Sequence, residues 1–264
     1  RKNKYLIYKL LKFKQMGLLK KNSFGHNLFL KKWVIRIFGI LSYRRFNGIN
    51  NLNIIGSEVL RSLPEKNVLF VSNHQTYYAD VAAMLHVMSA SLSGKKDNID
   101  DLFSYIWHPK ENIFFVAAKE TMKAGFFPKI LSYAGAVLVE RSWRDKGKEI
   151  TRDVKSSDID VVEKALSAGW LITFPQGTTT PWAPIRKGTA HIIKKNKPIV
   201  VPIVIDGFRR SFDKKGILVK KKGVNQKMLI KEPIKIDYEK ETVEEIVFKI
   251  GVAIEQDSSF LKTS

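Results

Sequence analysis

Val68-Leu69-Phe70-Val71-Ser72-Asn73-His74-Gln75-Thr76-Tyr77-Tyr78-Ala79-Asp80 is the stretch on which the fold of this chain is decided. Val68–Ser72 is a β-rich, nearly continuous apolar run, the pattern of a strand buried on both faces. His74 follows at its C-terminal end, where α/β proteins tend to place their sites. Asp80 stands six positions further on. Six helical steps of about 100° turn a side chain roughly 240° away, so the two groups do not meet on one helix face. They meet if His74 sits in the strand-to-helix turn and Asp80 near the start of the helix. There the carboxylate accepts from one imidazole nitrogen, fixes the tautomer and leaves the other nitrogen to take a proton. The segment by itself also fits a structural histidine beside a helix-capping aspartate.

Outward from this segment, further β-rich runs stand at Ile113–Ala117, Ala136–Glu140, Leu171–Phe174, Ile199–Ile205 and Ile217–Lys220, with helical stretches between several of them. Ser157-Asp158-Ile159-Asp160 opens one helix with a pattern close to a capping box, and Gly169 is placed to close it. Thr242-Val243-Glu244-Glu245 opens the last helix in the same way. Buried strands separated by helices predict an α/β fold with a mixed, largely parallel sheet flanked by helices. Polar stretches at Ser93–Asp101 and Ser142–Ser157 read as surface loops.

Residues 1–47 differ in character and divide the chain into an N-terminal element, 1–47, and an α/β domain, 48–264. The former mixes Lys and Arg with Tyr5, Leu10, Phe13, Phe29, Trp33 and Phe38, and a break at Lys20–Gly25 predicts two helices. Apolar residues with basic flanks and a tryptophan suit helices lying on a membrane surface. A helix pair packed on the core with solvated lysines is the alternative. No run of 18 uncharged apolar residues occurs, so no ordinary membrane-spanning helix is expected. The chain starts at Arg1 rather than Met, which leaves a longer N-terminal anchor open.

The 46 Lys and Arg against 25 Asp and Glu give a net charge of +21, a field that attracts nucleic acid or an anionic lipid surface. The absence of cysteine removes disulfides, thiolate metal sites and a cysteine nucleophile. His26, His86, His108 and His191 lack metal-ligand spacing, so no metal is expected, and His86 reads as a packed residue. Phe174-Pro175-Gln176-Gly177-Thr178-Thr179-Thr180-Pro181 begins at a strand end; its glycine allows close backbone approach and its hydroxyls can hold an oxygen-rich group. A strand-ending turn with solvated threonines fits it equally. Lys119 and Arg141 each end a strand and could converge on an anion at one sheet edge, or be surface charges.

In order along the chain stand Asn-His-x5-Asp, then Lys119, Pro128, Gly135 and Arg141, then Phe-Pro-x-Gly-Thr, then Val201-Pro202-Ile203. Over roughly residues 30–235 this resembles the glycerophospholipid acyltransferases, whose best-known members are the lysophosphatidic acid acyltransferases. The resemblance implies a mixed α/β domain behind a two-helix membrane-binding element. It also implies His74 as the general base that deprotonates the acceptor hydroxyl, Asp80 as its partner, and no acyl-enzyme. Asn73, Lys119, Arg141, Gln176, Gly177, Thr178 and Thr179 fall at the implied substrate-binding positions. Three departures stand out. Five residues separate His74 from Asp80 where the family has four; Gln176 replaces a glutamate; and Thr179 occupies the place of a phosphate-binding arginine.

The expected activity is transfer of a fatty acyl chain from acyl-CoA or acyl-carrier protein to the hydroxyl of a lysolipid, first 1-acylglycerol-3-phosphate, with no cofactor. Thr179 motivates the same chemistry on an amino-acid-based or sulfonated lysolipid. A catalytically inactive basic protein binding membrane or nucleic acid is the alternative of another class. No nucleic-acid module is recognisable, so anionic membrane lipids rather than nucleic acid are the expected partner of the basic surface. The expected location is the cytoplasmic face of the inner or plasma membrane, peripheral or monotopic.

Overall fold

The computed structural model describes residues 20–119, 130, 133–140, 144–145, 148–149 and 156–257. In chain order these form α1 (Leu28–Phe46), β1 (Asn51–Ile55), α2 (Val59–Ser62), β2 (Val68–Ser72), α3 (Ala79–Leu92), α4 (Phe103–Ile106), β3 (Ile113–Ala118) and β4 (Ala136–Val139). The short strands β5 (Arg144–Asp145) and β6 (Lys148–Glu149) pair with each other outside the main sheet. Then follow α5 (Ser156–Ala168), β7 (Trp170–Thr173), α6 (Lys187–Asn196), β8 (Ile199–Asp206), α7 (Phe208–Ser211), β9 (Asn225–Ile230) and α8 (Val243–Ala253).

Seven strands make one sheet in the order β1-β9-β8-β2-β7-β3-β4. β8, β2, β7, β3 and β4 run parallel, while β9 is antiparallel to β8 and parallel to β1. β2 is therefore central, and the C-terminal ends of β8, β2 and β7 lie side by side on one edge. The expected mixed, largely parallel sheet is what forms. β2 is buried along its whole length, with Val68 and Phe70 in one core cluster and Leu69 and Val71 in the other. α1 and α3 cover the first face; α5, α6 and α8 cover the second. A side chain as buried as Phe70 contributes about 1.5–3 kcal/mol through removal of apolar surface from water.

One expected strand does not form. Ile217–Lys220 lies in a loop, with a lone bridge between Phe212 and Val219. Its backbone is engaged locally: Ile217 and Leu218 donate to Asp213 Oδ1, and Lys220 and Lys221 donate to the Ser211 carbonyl. The edge strand β1 and its neighbour β9 escaped the sequence reading, since each carries polar residues that face solvent (Asn51, Asn53, Asn225). The caps at the last helix hold: Thr242 and Glu245 form a capping box. Gly169 closes α5, donating to the Ala165 carbonyl.

α1 has two faces. Lys31, Val34, Ile35 and Phe46 are buried in the body of the protein, whereas Phe29, Trp33, Ile37 and Leu41 are 40–63% exposed. The break before it is a turn in which Asn22 Oδ1 accepts from Phe24 and His26. The expected first helix lies outside the described residues. Among those described, no helix is long and apolar enough to cross a membrane.

His86 is packed within the core, as expected. Ser42 Oγ donates to the Phe38 carbonyl and so accepts from His86 Nε2 at 2.9 Å, and Tyr105 O–H then donates to Nδ1 at 3.0 Å. Burial lowers the pKa of this imidazole to about 4, so it is neutral at pH 7.

Candidate active site

Ser72 ends β2, α3 begins at Ala79, and the residues between them form the turn that the chemistry needs. Asp80, fully buried, is the second residue of the helix and points back into that turn. Its Oδ2 accepts from Gln75 N–H at 2.6 Å and Thr76 N–H at 3.0 Å, and its Oδ1 accepts from the Thr76 hydroxyl at 2.6 Å. His74 Nδ1 lies 2.8 Å from the same Oδ2. With three other donors already aimed at the carboxyl group, only acceptor capacity faces the imidazole, so Nδ1 carries a proton, and in the neutral ring the lone pair is then on Nε2.

The fifth residue between His74 and Asp80 is absorbed without parting the pair. Tyr77 and Tyr78 donate to the carbonyls of Lys214 and Lys215, which pin the widened turn to the loop before β9. Gly216 makes that contact possible: it has φ +78°, and a Cβ there would lie 2.6 Å from the Ala79 nitrogen. The glycine was not singled out from sequence, because its partner lies far away along the chain.

His74 is held from the other side by Phe174, the residue after β7, whose ring stacks at 3.9 Å between centroids. Asn73 is a clamp: Oδ1 accepts from Ile205 N–H and Nδ2 donates to the Ile205 carbonyl, both at 2.8 Å. Both ends of the amide are thus engaged in tying β2 to β8. Gln176 is likewise buried and turned into the scaffold, donating to the Ala183 carbonyl at 2.8 Å and to Gln256 Oε1 at 3.1 Å. Gln256 also accepts from Trp182 N–H, so the segment just after α8 ties down the loop after β7.

In that loop, Gly177 has φ +63° and the Arg186 guanidinium packs against it; a Cβ there would lie 2.8 Å from Cζ. The hydroxyls of Thr178 and Thr180 lie 3.1 Å apart. Thr179 is buried, and its carbonyl accepts from Arg209 Nη2. Lys119 directly follows β3, two strands from β2 and so roughly 10 Å across the sheet. Its Nζ lies 3.4 Å from Glu140 Oε1 and 3.9 Å from Asp158 Oδ1, so its charge is matched within the protein. Arg141 lies outside the described residues. Arg209, which closes the site on the β8 side, was missed from sequence because no motif marks it.

An apolar cavity of about 100 Å³ lies between α1 and α3. Tyr77, Tyr78 and Ala79, the link between His74 and Asp80, form part of its wall, with Phe38, Leu85 and His86 further round. Among the described residues no group of three His, Cys, Asp or Glu could hold a metal ion.

Residues 51–206 match the family model described as Acyltransferase. A 1-acyl-sn-glycerol-3-phosphate acyltransferase of Cocos nucifera is 28% identical over 151 residues, 56% of this chain and 46% of that protein. The chain thus aligns with about half the length of this curated relative. The crystal structure of the 1-acyl-sn-glycerophosphate (LPA) acyltransferase PlsC from Thermotoga maritima superimposes with a TM-score of 0.55 at 18% identity. That likeness of fold covers 89% of this chain and 82% of the other.

Proposed function

This chain belongs to the Acyltransferase family, and from that premise we propose that it transfers a fatty acyl chain from an acyl thioester to the hydroxyl of a lysolipid. The observation that carries the reading is the 2.8 Å contact between His74 Nδ1 and Asp80 Oδ2, which leaves Nε2 as a base at the end of the central strand. His74 takes the proton of the acceptor hydroxyl as its oxygen attacks the thioester carbonyl. The tetrahedral adduct collapses, the carbon–sulfur bond breaks, and the departing sulfur takes the proton from the imidazolium. No acyl-enzyme, metal or cofactor enters this scheme. The donor is acyl-CoA or acyl-carrier protein.

The first acceptor we assign is 1-acylglycerol-3-phosphate, in keeping with the relatives named above. Thr179, which supplies no cation, and Lys119, already paired with two carboxylates, favour a second reading with a sulfonated or amino-acid-based lysolipid. Purified protein given each acceptor with either donor separates them. Mass spectrometry is expected to find phosphatidic acid as the main product; selective acylation of another acceptor would transfer the assignment to it.

The exposed face of α1 suits the cytoplasmic surface of an anionic membrane, where a peripheral enzyme meets an acceptor that lies in the bilayer. Phe29, Trp33, Ile37 and Leu41 follow one another at helical spacing, and Arg36 sits between the rings of Trp33 and Trp107 at 5.3 and 5.2 Å. Deleting the helix would strip Val34, Ile35 and Phe46 from the core, so point variants are the better probe. Phe29, Ile37 and Leu41 are about half-exposed, so inserting them gains about half of the roughly 1.5–3 kcal/mol of a fully buried side chain, and replacing all three with Ser is expected to weaken binding to anionic vesicles by about 10²–10³-fold. Unchanged sedimentation with vesicles would refute the docking face.

A further inference from the structure

Three strand ends meet at the catalytic edge, and each brings a loop: His74–Tyr78 after β2, Phe174–Pro181 after β7, and Gly207–Arg210 after β8. Arg209 touches the other two. Its backbone N–H donates to Gln75 Oε1 at 3.1 Å, beside His74, and its Nη2 donates to the Thr179 carbonyl. Gln75 is itself fixed by donating to the Ile205 carbonyl at 3.1 Å. The guanidinium is thereby carried over the loop whose Phe174 stacks on His74 and whose Thr178 and Thr180 hydroxyls face each other.

The neighbouring basic groups are differently committed. Arg210 Nη2 pairs with Asp206 Oδ2 at 2.8 Å, and Lys119 is matched by Glu140 and Asp158. Among the described residues no carboxylate pairs with Arg209, and its side chain is exposed. One of its five N–H donors is used within the described protein, in a fork whose geometry suits a phosphate or sulfonate. A cation left without an acid, braced against the loops on both sides of a general base, is arranged to receive an anion.

Building on the acyl-transfer reading, we infer that Arg209 is the specificity-determining residue for the anionic headgroup of the acceptor, with the Thr178 and Thr180 hydroxyls as further ligands. A headgroup held there keeps the acceptor hydroxyl at His74. The site selects an oxyanion, phosphate or sulfonate, over an uncharged headgroup.

The test compares wild type, Arg209→Gln and Arg209→Lys with one acyl thioester and three acceptors: lysophosphatidic acid, a sulfonated lysolipid and uncharged 1-acylglycerol. The readout is the ratio of kcat/KM for each anionic acceptor to that for the uncharged one. Hydrogen bonds to a charged group imply that Arg209→Gln lowers this ratio by about 10–100-fold, chiefly through KM. Arg209→Lys, which keeps the charge but not the fork, is expected to recover part of it. Whether the phosphate or the sulfonate ratio falls further identifies the headgroup. An unchanged ratio overturns the inference, and so does an equal loss on all three acceptors, which would make Arg209 a strut between loops. A wild type that transfers acyl chains in a His74-dependent way but ignores headgroup charge overturns the inference and leaves acyl transfer standing. A wild type that acylates no acceptor overturns both.

Discussion

His74→Ala protein is expected to retain its fold and to lose acyl transfer by at least about 10²–10⁴-fold, the usual contribution of a positioned general base. The loss should fall on kcat, because the imidazole acts on the proton as the carbon–oxygen bond forms. Stability should change little, since removal of the ring forfeits one stacking contact with Phe174 and one hydrogen bond to Asp80. Circular dichroism and a melting curve establish the fold, and product quantification gives the rate. A variant within about threefold of wild type would remove His74 from the chemistry.

Asp80→Asn is the second large effect, and it separates orientation from mere burial. Asn keeps the shape of Asp but brings an NH2 group into a pocket already filled by donors from Gln75, Thr76 and His74. If that NH2 faces the imidazole, Nδ1 must accept and the proton moves to Nε2, where the base is needed. Activity is expected to fall about 10²–10⁴-fold. Asp80→Ala should also unfold the turn more readily, because three buried donors lose their partner at roughly 1–3 kcal/mol each. Near-normal turnover by Asp80→Asn protein would reduce the carboxylate to a capping role.

Much of this arrangement is legible in the sequence where it is local. The run Val68–Ser72 announces a strand covered on both faces, and His74 with Asp80 needs only a turn followed by a helix start to meet. The capping box at Thr242 is legible for the same reason. What depends on distant partners is not. Gly216 matters because its Cα lies against Ala79, Gln176 because it reaches Gln256, and Asn73 because it meets Ile205 across 132 positions. The ion pairs of Lys119 are hidden for the same reason, since Glu140 follows β4 and Asp158 stands on α5. Ile217–Lys220 has strand composition, but its amides are claimed by Asp213 and Ser211.

The central claim is direct transfer to an acceptor activated by His74, and the competing chemistry on the same loop is acylation of a threonine hydroxyl. Thiol release from an acyl thioester, followed with and without lysophosphatidic acid while the intact mass of the protein is recorded, distinguishes them. Direct transfer predicts release that begins on addition of the acceptor, matches phosphatidic acid mole for mole, and leaves the protein mass unchanged. Release without acceptor that deposits an acyl chain on the protein, or no acceptor-dependent release at all, would contradict it.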